Sequence, residues 1–196
     1  KDIGIKPTPT IGGVGLISNY ENMVTMDLKE TGNVILVVGK TEGHLDQSLF
    51  SRDILNEKNG PPPEINLFNE KNNGETILKL IDKKFIKAAH DVSLGGIITA
   101  LSKMCIKGKK GVILKKPNYL INQFEYMFGE DQGRYIIEIG KNNLQNVIKI
   151  LSENSVHFDE IGTVNGVDLI IDDKSKVSID DLIKSHTTWL TNYMSK

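Results

Sequence analysis

Cysteine is almost absent from this sequence: Cys105 is the single one, which excludes an internal disulfide and any multi-cysteine metal centre and fits a reducing compartment. An excess of charge of one sign is missing too. Lys and Arg number 24 against 25 Asp and Glu, for a formal charge of -1, so there is no basic field to gather nucleic acid or anionic lipid. No apolar run approaches the ~18 residues needed to cross a bilayer, and the opening KDIGIKPTPT lacks the apolar core of a signal peptide. The expectation is a cytoplasmic protein that works without nucleic acid or membrane. Its 196 residues, 39% hydrophobic and 25% charged, suit one large domain or two small ones with a real core. The chain opens on Lys1 into a Gly- and Pro-rich segment with no helix start signal, which reads as a cut through a longer polypeptide.

Ile11 to Ser18, IGGVGLIS, mixes small and β-branched residues and predicts a strand. NVILVVG, from Asn33 to Gly39, is a continuous apolar run between glycines, the pattern of a central strand buried on both faces. Helical spacing predicts helices over about 45–57 and again from Asn69 onward, joined by the stiff connector Pro61 to Pro63. A short strand, IKAAH, should end at His90. Asp91 and Ser93 are N-cap residue types, so a helix is expected to start near Ser93 and stop before Gly108. Downstream, strands are expected at about 112–115 and 134–140, helices around 119–127 and 142–153, a hairpin turning at Asn165-Gly166, and a closing helix from Ile179 to Leu190. Strands and helices alternate without a long linker. This predicts a single layered domain of the α+β or mixed α/β class, with a mixed sheet flanked by helices.

The junction His90-Asp91-Val92-Ser93-Leu94-Gly95-Gly96 is the first candidate site, because a helix N-terminus offers free N–H groups and partial positive charge to an anion. Asp91 could hold a Mg²⁺ that bridges phosphate oxygens, Ser93 could donate to phosphate, and Gly95 and Gly96 would let a ligand approach the backbone. On spacing alone an ordinary capped helix, with glycines chosen for tight packing, explains the same residues more simply. The second candidate is the loop Phe128 to Arg134, FGEDQGR, in which Glu130, Gln132 and Arg134 could meet a polar ligand or the arginine could pair with a nearby carboxylate. IGGVG lacks the lysine and hydroxyl residue of a phosphate loop. The histidines at 44, 90, 157 and 186 have no short metal-ligand spacing, and neither Ser48 nor Ser93 sits in a nucleophile elbow. No residue is singled out as catalytic.

Five segments in order, PTPTIGGVG at 7–15, GHLDQSLF at 43–50, GPPPEINL at 60–67, HDVSLGGI at 90–97 and FGEDQGRY at 128–135, resemble the synthetase subunit of the phosphoribosylformylglycinamidine synthase family over nearly the whole chain. The family is related to aminoimidazole ribonucleotide synthetase, and its larger members carry an N-type and a C-type domain twice. The resemblance implies that residues 1–196 are the second C-type domain, starting just after an N-type domain. It further implies a purine-biosynthetic ligase in which ATP and Mg²⁺ activate the amide of formylglycinamide ribonucleotide, and ammonia from a glutaminase then yields the amidine through an iminophosphate. The partners implied are the upstream domains of the same chain, a glutaminase subunit and a small accessory subunit. The family's nucleotide lysine, catalytic histidine and first magnesium ligands lie in N-type domains, so the resemblance implies that this span is inactive alone.

From long-chain members the resemblance carries a magnesium role to Asp91 and a nucleotide role to Ser93, with Gly95 and Gly96 beside it. His90, Glu130, Gln132 and Arg134 remain candidates for ligand contact. The chain departs from the family pattern at Asp46 and Leu94, where glycine and an acidic residue are usual, and at Asp131, which occupies the usual serine-containing loop. A carboxylate there repels phosphate unless a cation intervenes. Two other readings stand beside the ligase: a non-catalytic scaffold that docks partner domains or subunits, and a domain of another ATP-dependent member of the same superfamily.

Overall fold

The computed structural model describes residues 9–17, 19–115, 121–172 and 175–195. A mixed sheet of seven strands organises them: β1 (Val34–Val38), β2 (Ala88–Val92), β3 (Val112–Leu114), β4 (Arg134–Ile139), β5 (Phe158–Val164), β6 (Asp168–Ile170) and β7 (Lys176–Ser178), in the order β2-β4-β1-β5-β3-β6-β7. As the apolar run predicts, β1 is interior and every one of its residues is buried. It is antiparallel to both β4 and β5, with Leu36 opposite Ile137 on one side and Glu160 on the other.

Side chains alternate across a strand, so one sequence feeds two cores. Val34, Leu36 and Val38, with Ile137 and Ile139, pack under α1 (Leu67–Asp82) and α4 (Leu144–Glu153), through Ile77, Leu80, Val147 and Leu151. Ile35 and Val37, with Ile136 and Ile161, face the opposite layer of α2 (Gly96–Gly108), α3 (Gln123–Phe128) and α5 (Ile179–Met194). The outcome is the expected mixed sheet between helices.

Five expectations need correction. The strand expected from Ile11 does not form over 11–17: these residues join no ladder, and Val14 and Leu16 lie fully open to solvent, because Gly12, Gly13 and Gly15 have no neighbour to pack against. Ser18 lies outside the described residues. The helix expected at 45–57 is confined to 49–55, closing in a wide π turn at Asn56. Gln47 holds a left-handed backbone and ties its amide to the carbonyls of Lys58 and Gly60, which leaves the segment no room to start earlier.

The Asn165-Gly166 hairpin also fails. β5 and β6 do not pair; β3 lies between them, antiparallel to β5 and parallel to β6. Gly111 leads β3 into that gap, exchanging bonds with Asn165 and Gly166, and a Cβ there would fall 2.1 Å from the Asp168 carbonyl. Lastly, the strand expected to end at His90 runs on through Asp91 and Val92, and α2 begins at Gly96, not near Ser93. The expected helix at 119–127 is α3, which starts at Gln123; residues 116–120 lie outside the description.

Cys105 is buried on α2, and burial pushes its thiol up to about 12. The folded thiol therefore holds its proton more tightly than the unfolded one, whose value is about 8.5. Its stabilising contribution is complete below that value and is lost as pH rises toward the folded one. Chemical denaturation of the parent chain and of Cys105→Ser should show the parent losing more stability between about pH 9 and pH 12. Parallel curves would remove this contribution.

Candidate functional site

The candidate turn leaves the sheet from β2, whose alternation sets where each side chain goes. Ala88 and Val92 enter the core facing α2, while Ala89 packs on the α1 side; Asp91 shares the parity of Ala89. Opposite Asp91 in the ladder is Tyr135, whose hydroxyl is pushed up by burial first and then by the carboxylates of Glu70 and Asp91. Asp91 is thus on the α1 side, with its side chain 63% exposed. His90 donates from Nδ1 to the Asp91 carboxylate at 3.0 Å, and its Nε2 is buried with no partner among the described residues.

Beyond Val92 the chain turns toward the other face of the sheet. Ser93 is exposed and accepts from the Gly96 N–H through its carbonyl at 3.0 Å. Gly95 and Gly96 are buried with φ of +83° and +68°, in the left-handed region that glycine alone enters freely. A Cβ on Gly96 would fall 2.6 Å from the Met127 carbonyl oxygen, so the glycine lets α2 meet the end of α3 backbone to backbone. No side chain near in sequence caps α2. The cap comes from the second candidate loop: Glu130 Oε1 accepts the Gly95 N–H at 2.8 Å and also the Leu49 N–H at 2.8 Å.

Asp131 does the same at another cradle. Its Oδ2 accepts from the N–H groups of Glu42 and Gly43 at 3.2 and 3.0 Å, and its Oδ1 from that of His44 at 3.1 Å. Successive N–H groups converging on one anion form a nest. Arg134, 1% exposed, locks the loop from beneath. Its Nε donates to the Asp131 carbonyl at 3.1 Å, Nη1 to the Thr41 hydroxyl at 3.1 Å and Nη2 to the Gly129 carbonyl at 2.6 Å, with the Asp131 carboxylate 3.4 Å from Nη1. Burial removes Arg134 from the candidates for ligand contact, and the carboxylate of Glu130 points inward. Gln132 is the exposed member of the loop.

Gln132 opens onto a cleft of about 970 Å³ walled by His44, Pro61 to Pro63, Asn66, Glu70 and Asn73. The proline connector is fastened there by the His44 ring, whose Nε2 lies 3.1 Å from the Pro61 carbonyl. On the other side of the loop Phe128 stacks on Phe50, centroids 4.8 Å apart, and Phe124 lies 5.7 Å from Phe50. Asp91 and Ser93 keep exposed side chains, but Asp91 sits on the α1 side and the two glycines point into the α2 layer. Among the described residues no group of three or more His, Cys, Asp or Glu is placed to hold a metal. Asp91 offers one exposed carboxylate at this turn, which already accepts from His90 Nδ1. Sequence reasoning missed Leu49 and the 42–44 nest because backbone N–H groups leave no residue-type signal, and Thr41 because its hydroxyl meets Arg134 across 93 residues; the glycine of GHL facing the acids of GEDQG was the one available cue.

The family model for the AIR synthase related protein, C-terminal domain, matches residues 30–173. The chain is 84% identical over 194 residues to phosphoribosylformylglycinamidine synthase subunit PurL of Pelagibacter ubique, a match covering 99% of this chain and 27% of that protein. It is 41% identical over 190 residues to the same subunit of Bartonella bacilliformis, covering 97% and 26%. The chain thus spans about a quarter of the length of these curated relatives. Thermotoga maritima PurL complexed with FGAR superposes with a TM-score of 0.69 at 20% identity, covering 84% of this chain and 30% of that one. At that identity the likeness establishes the fold.

Proposed function

Because the chain belongs to the AIR synthase related protein, C-terminal domain, family, we propose that it is the second C-type domain of a phosphoribosylformylglycinamidine synthase. That enzyme is an ATP-dependent carbon–nitrogen ligase of purine biosynthesis acting in the cytoplasm. The observation that carries this reading is the 84% identity to a PurL subunit across 99% of the chain. In the proposed reaction the amide oxygen of formylglycinamide ribonucleotide takes the terminal phosphoryl group of ATP, and ADP leaves. Ammonia then attacks the activated carbon and expels phosphate, giving the amidine. The domain works with the upstream N-type and C-type domains, a glutaminase subunit and a small accessory subunit, and is inactive by itself.

Within this domain Asp91 is proposed as a Mg²⁺ ligand and Ser93 as a nucleotide contact, with His90 and Gln132 near the ligand; Gly95 and Gly96, buried with their N–H groups taken by Glu130 and by the Ser93 carbonyl, shape the turn without meeting the nucleotide. The exposed carboxylate of Asp91 and the exposed Ser93 support this. Calorimetric titration of the chain with ADP and Mg²⁺ tests it: Asp91→Ala should weaken binding by about tenfold or more, as loss of one charge-assisted contact of ~1.4 kcal/mol or above predicts. Equal affinity in the two proteins would remove Asp91 from the site. A second reading, a scaffold that closes the synthase core and docks its subunits, is favoured by the seat of Glu130 on the Gly95 N–H.

A further inference from the structure

We propose that the cleft between the proline connector and α1 receives a guanidinium carried on an extended segment of a partner polypeptide, seated on the Glu70 carboxylate and the Asn73 side-chain oxygen. Both groups converge on Gly133 at the foot of the cleft. Asn73, 7% exposed, donates from Nδ2 to the Gly133 carbonyl at 2.9 Å, while its Oδ1 accepts from no donor among the described residues. A polar side chain this buried is normally satisfied at both ends. A Cβ on Gly133 would fall 3.3 Å from the Glu70 carboxyl carbon, so that carboxylate lies against the same glycine. Glu70 is partly buried and its carboxylate has no ion pair or hydrogen bond among the described residues. Two acceptors in want of donors therefore share one end of the cleft.

The remaining charges of the lining set the sign of the guest. Lys40 is paired with Glu42, and Asp131 is held by the 42–44 nest and by Arg134. Glu70 and the exposed Glu64 keep their negative charge, which repels phosphate and attracts a cation. Glu70 and Asn73 stand three residues apart on one face of α1, a spacing that puts their Cβ atoms about 5–6 Å apart. The five N–H groups of a guanidinium span such a pair better than the point charge of an ammonium. On the other wall Pro61 to Pro63 have no backbone N–H and present ring faces and carbonyls. His44 holds the Pro61 carbonyl, leaving those of Pro62 and Pro63 to accept from the N–H groups of an extended chain. Ile65, 63% exposed, offers apolar surface to an arginine stem. A volume of about 970 Å³ is far more than one guanidinium fills and is at the upper end for ligand pockets, so the cation arrives attached to a chain. The cleft performs this role whether or not the turn between β2 and α2 binds nucleotide.

Three probes are titrated by calorimetry into the full 196-residue chain: the end-blocked peptide Gly-Val-Arg-Val-Gly, the same peptide with neutral, isosteric citrulline in place of arginine, and ethylguanidinium alone. The arginine peptide should bind about tenfold or more tightly than the citrulline peptide, and Glu70→Gln should abolish that preference, as the loss of one charge-assisted contact predicts. Glu64→Gln, which removes the same charge from an exposed position, should retain it. An arginine peptide that binds no better than its citrulline counterpart would overturn the proposal. So would an equal loss in Glu64→Gln, which is the mark of a diffuse field and not of a seat. Ethylguanidinium matching the affinity of the arginine peptide would make this a site for a free cation and overturn the polypeptide occupant. If Glu70→Gln does not fold, the parent alone decides: its Asn73 side-chain amide resonances should move with the arginine peptide and stay in place with the citrulline one, and an equal response to both would overturn the inference.

Discussion

Arg134→Met should destabilise the domain by about 3–5 kcal/mol, the range for removing one partner of a buried ion pair. Methionine matches the length of the arginine stem, so the loss reports the guanidinium and not the packing. Its removal leaves the Asp131 carboxylate, 8% exposed, without its counter-charge, and strips donors from the Gly129 and Asp131 carbonyls and the Thr41 hydroxyl. Arg134→Lys should recover little. An ammonium group is a point charge and cannot reach a carbonyl, a hydroxyl and a carboxylate in one plane as the fork does. Urea unfolding reads the effect as a lower midpoint at unchanged slope. A loss below about 1 kcal/mol would mean that the loop holds its shape by its backbone bonds alone.

Glu138→Ala should cost about 3 kcal/mol or more, because buried donors that lose their acceptor carry the full desolvation penalty of ~1–3 kcal/mol each. Glu138 lies on β4 with no exposed surface. Its Oε2 accepts the Lys29 N–H at 2.7 Å, and its Oε1 accepts the Glu30 N–H at 3.0 Å and the Asn33 side-chain amide at 2.6 Å. The carboxylate thereby pins the segment that leads into β1. Glu138→Gln keeps the volume but presents an amide nitrogen to one set of donors, so it should fall between parent and alanine. Hydrogen exchange at the Lys29 and Glu30 amides gives a local readout. If those amides stay as protected in Glu138→Ala as in the parent, the carboxylate is not what holds them.

These two residues also mark where the sequence was readable and where it was not. The run NVILVVG announced a strand buried on both faces, because burial on both sides removes polar alternation, and β1 is that strand. In RYIIEIG the same apolar signal located β4 but concealed Glu138, since one polar residue in an apolar run looks like the solvent side of an alternating strand. Arg134 was recognised as belonging to a loop with acids; that it would be fully buried depends on Thr41, 93 residues away, which no local pattern links to it. The start of α2 was misplaced for a related reason. Local rules look for a cap one or two residues before the helix, at Asp91 or Ser93, whereas the acceptor on Gly95 is the side chain of Glu130, 35 residues away. Asn165-Gly166 carried a sound turn signal, and the chain does turn there, but a turn does not determine whether a third strand enters between the two it joins.

The strand order has a bearing on how this domain is made. Of its neighbouring pairs only β6 and β7 are consecutive in the chain, so the sheet cannot grow by adding hairpins as they emerge. β1 must wait for β4 and β5, and the Asn33 amide for an acceptor 105 residues further on. At a synthesis rate of about 5–20 residues per second, the ribosome holds the apolar strand unpartnered for roughly 5–20 seconds. During that interval VILVV is a sticky segment in search of an edge. Non-local pairing of this kind slows folding. The nascent domain is therefore a natural client for chaperones, and refolding yield should fall steeply as protein concentration rises.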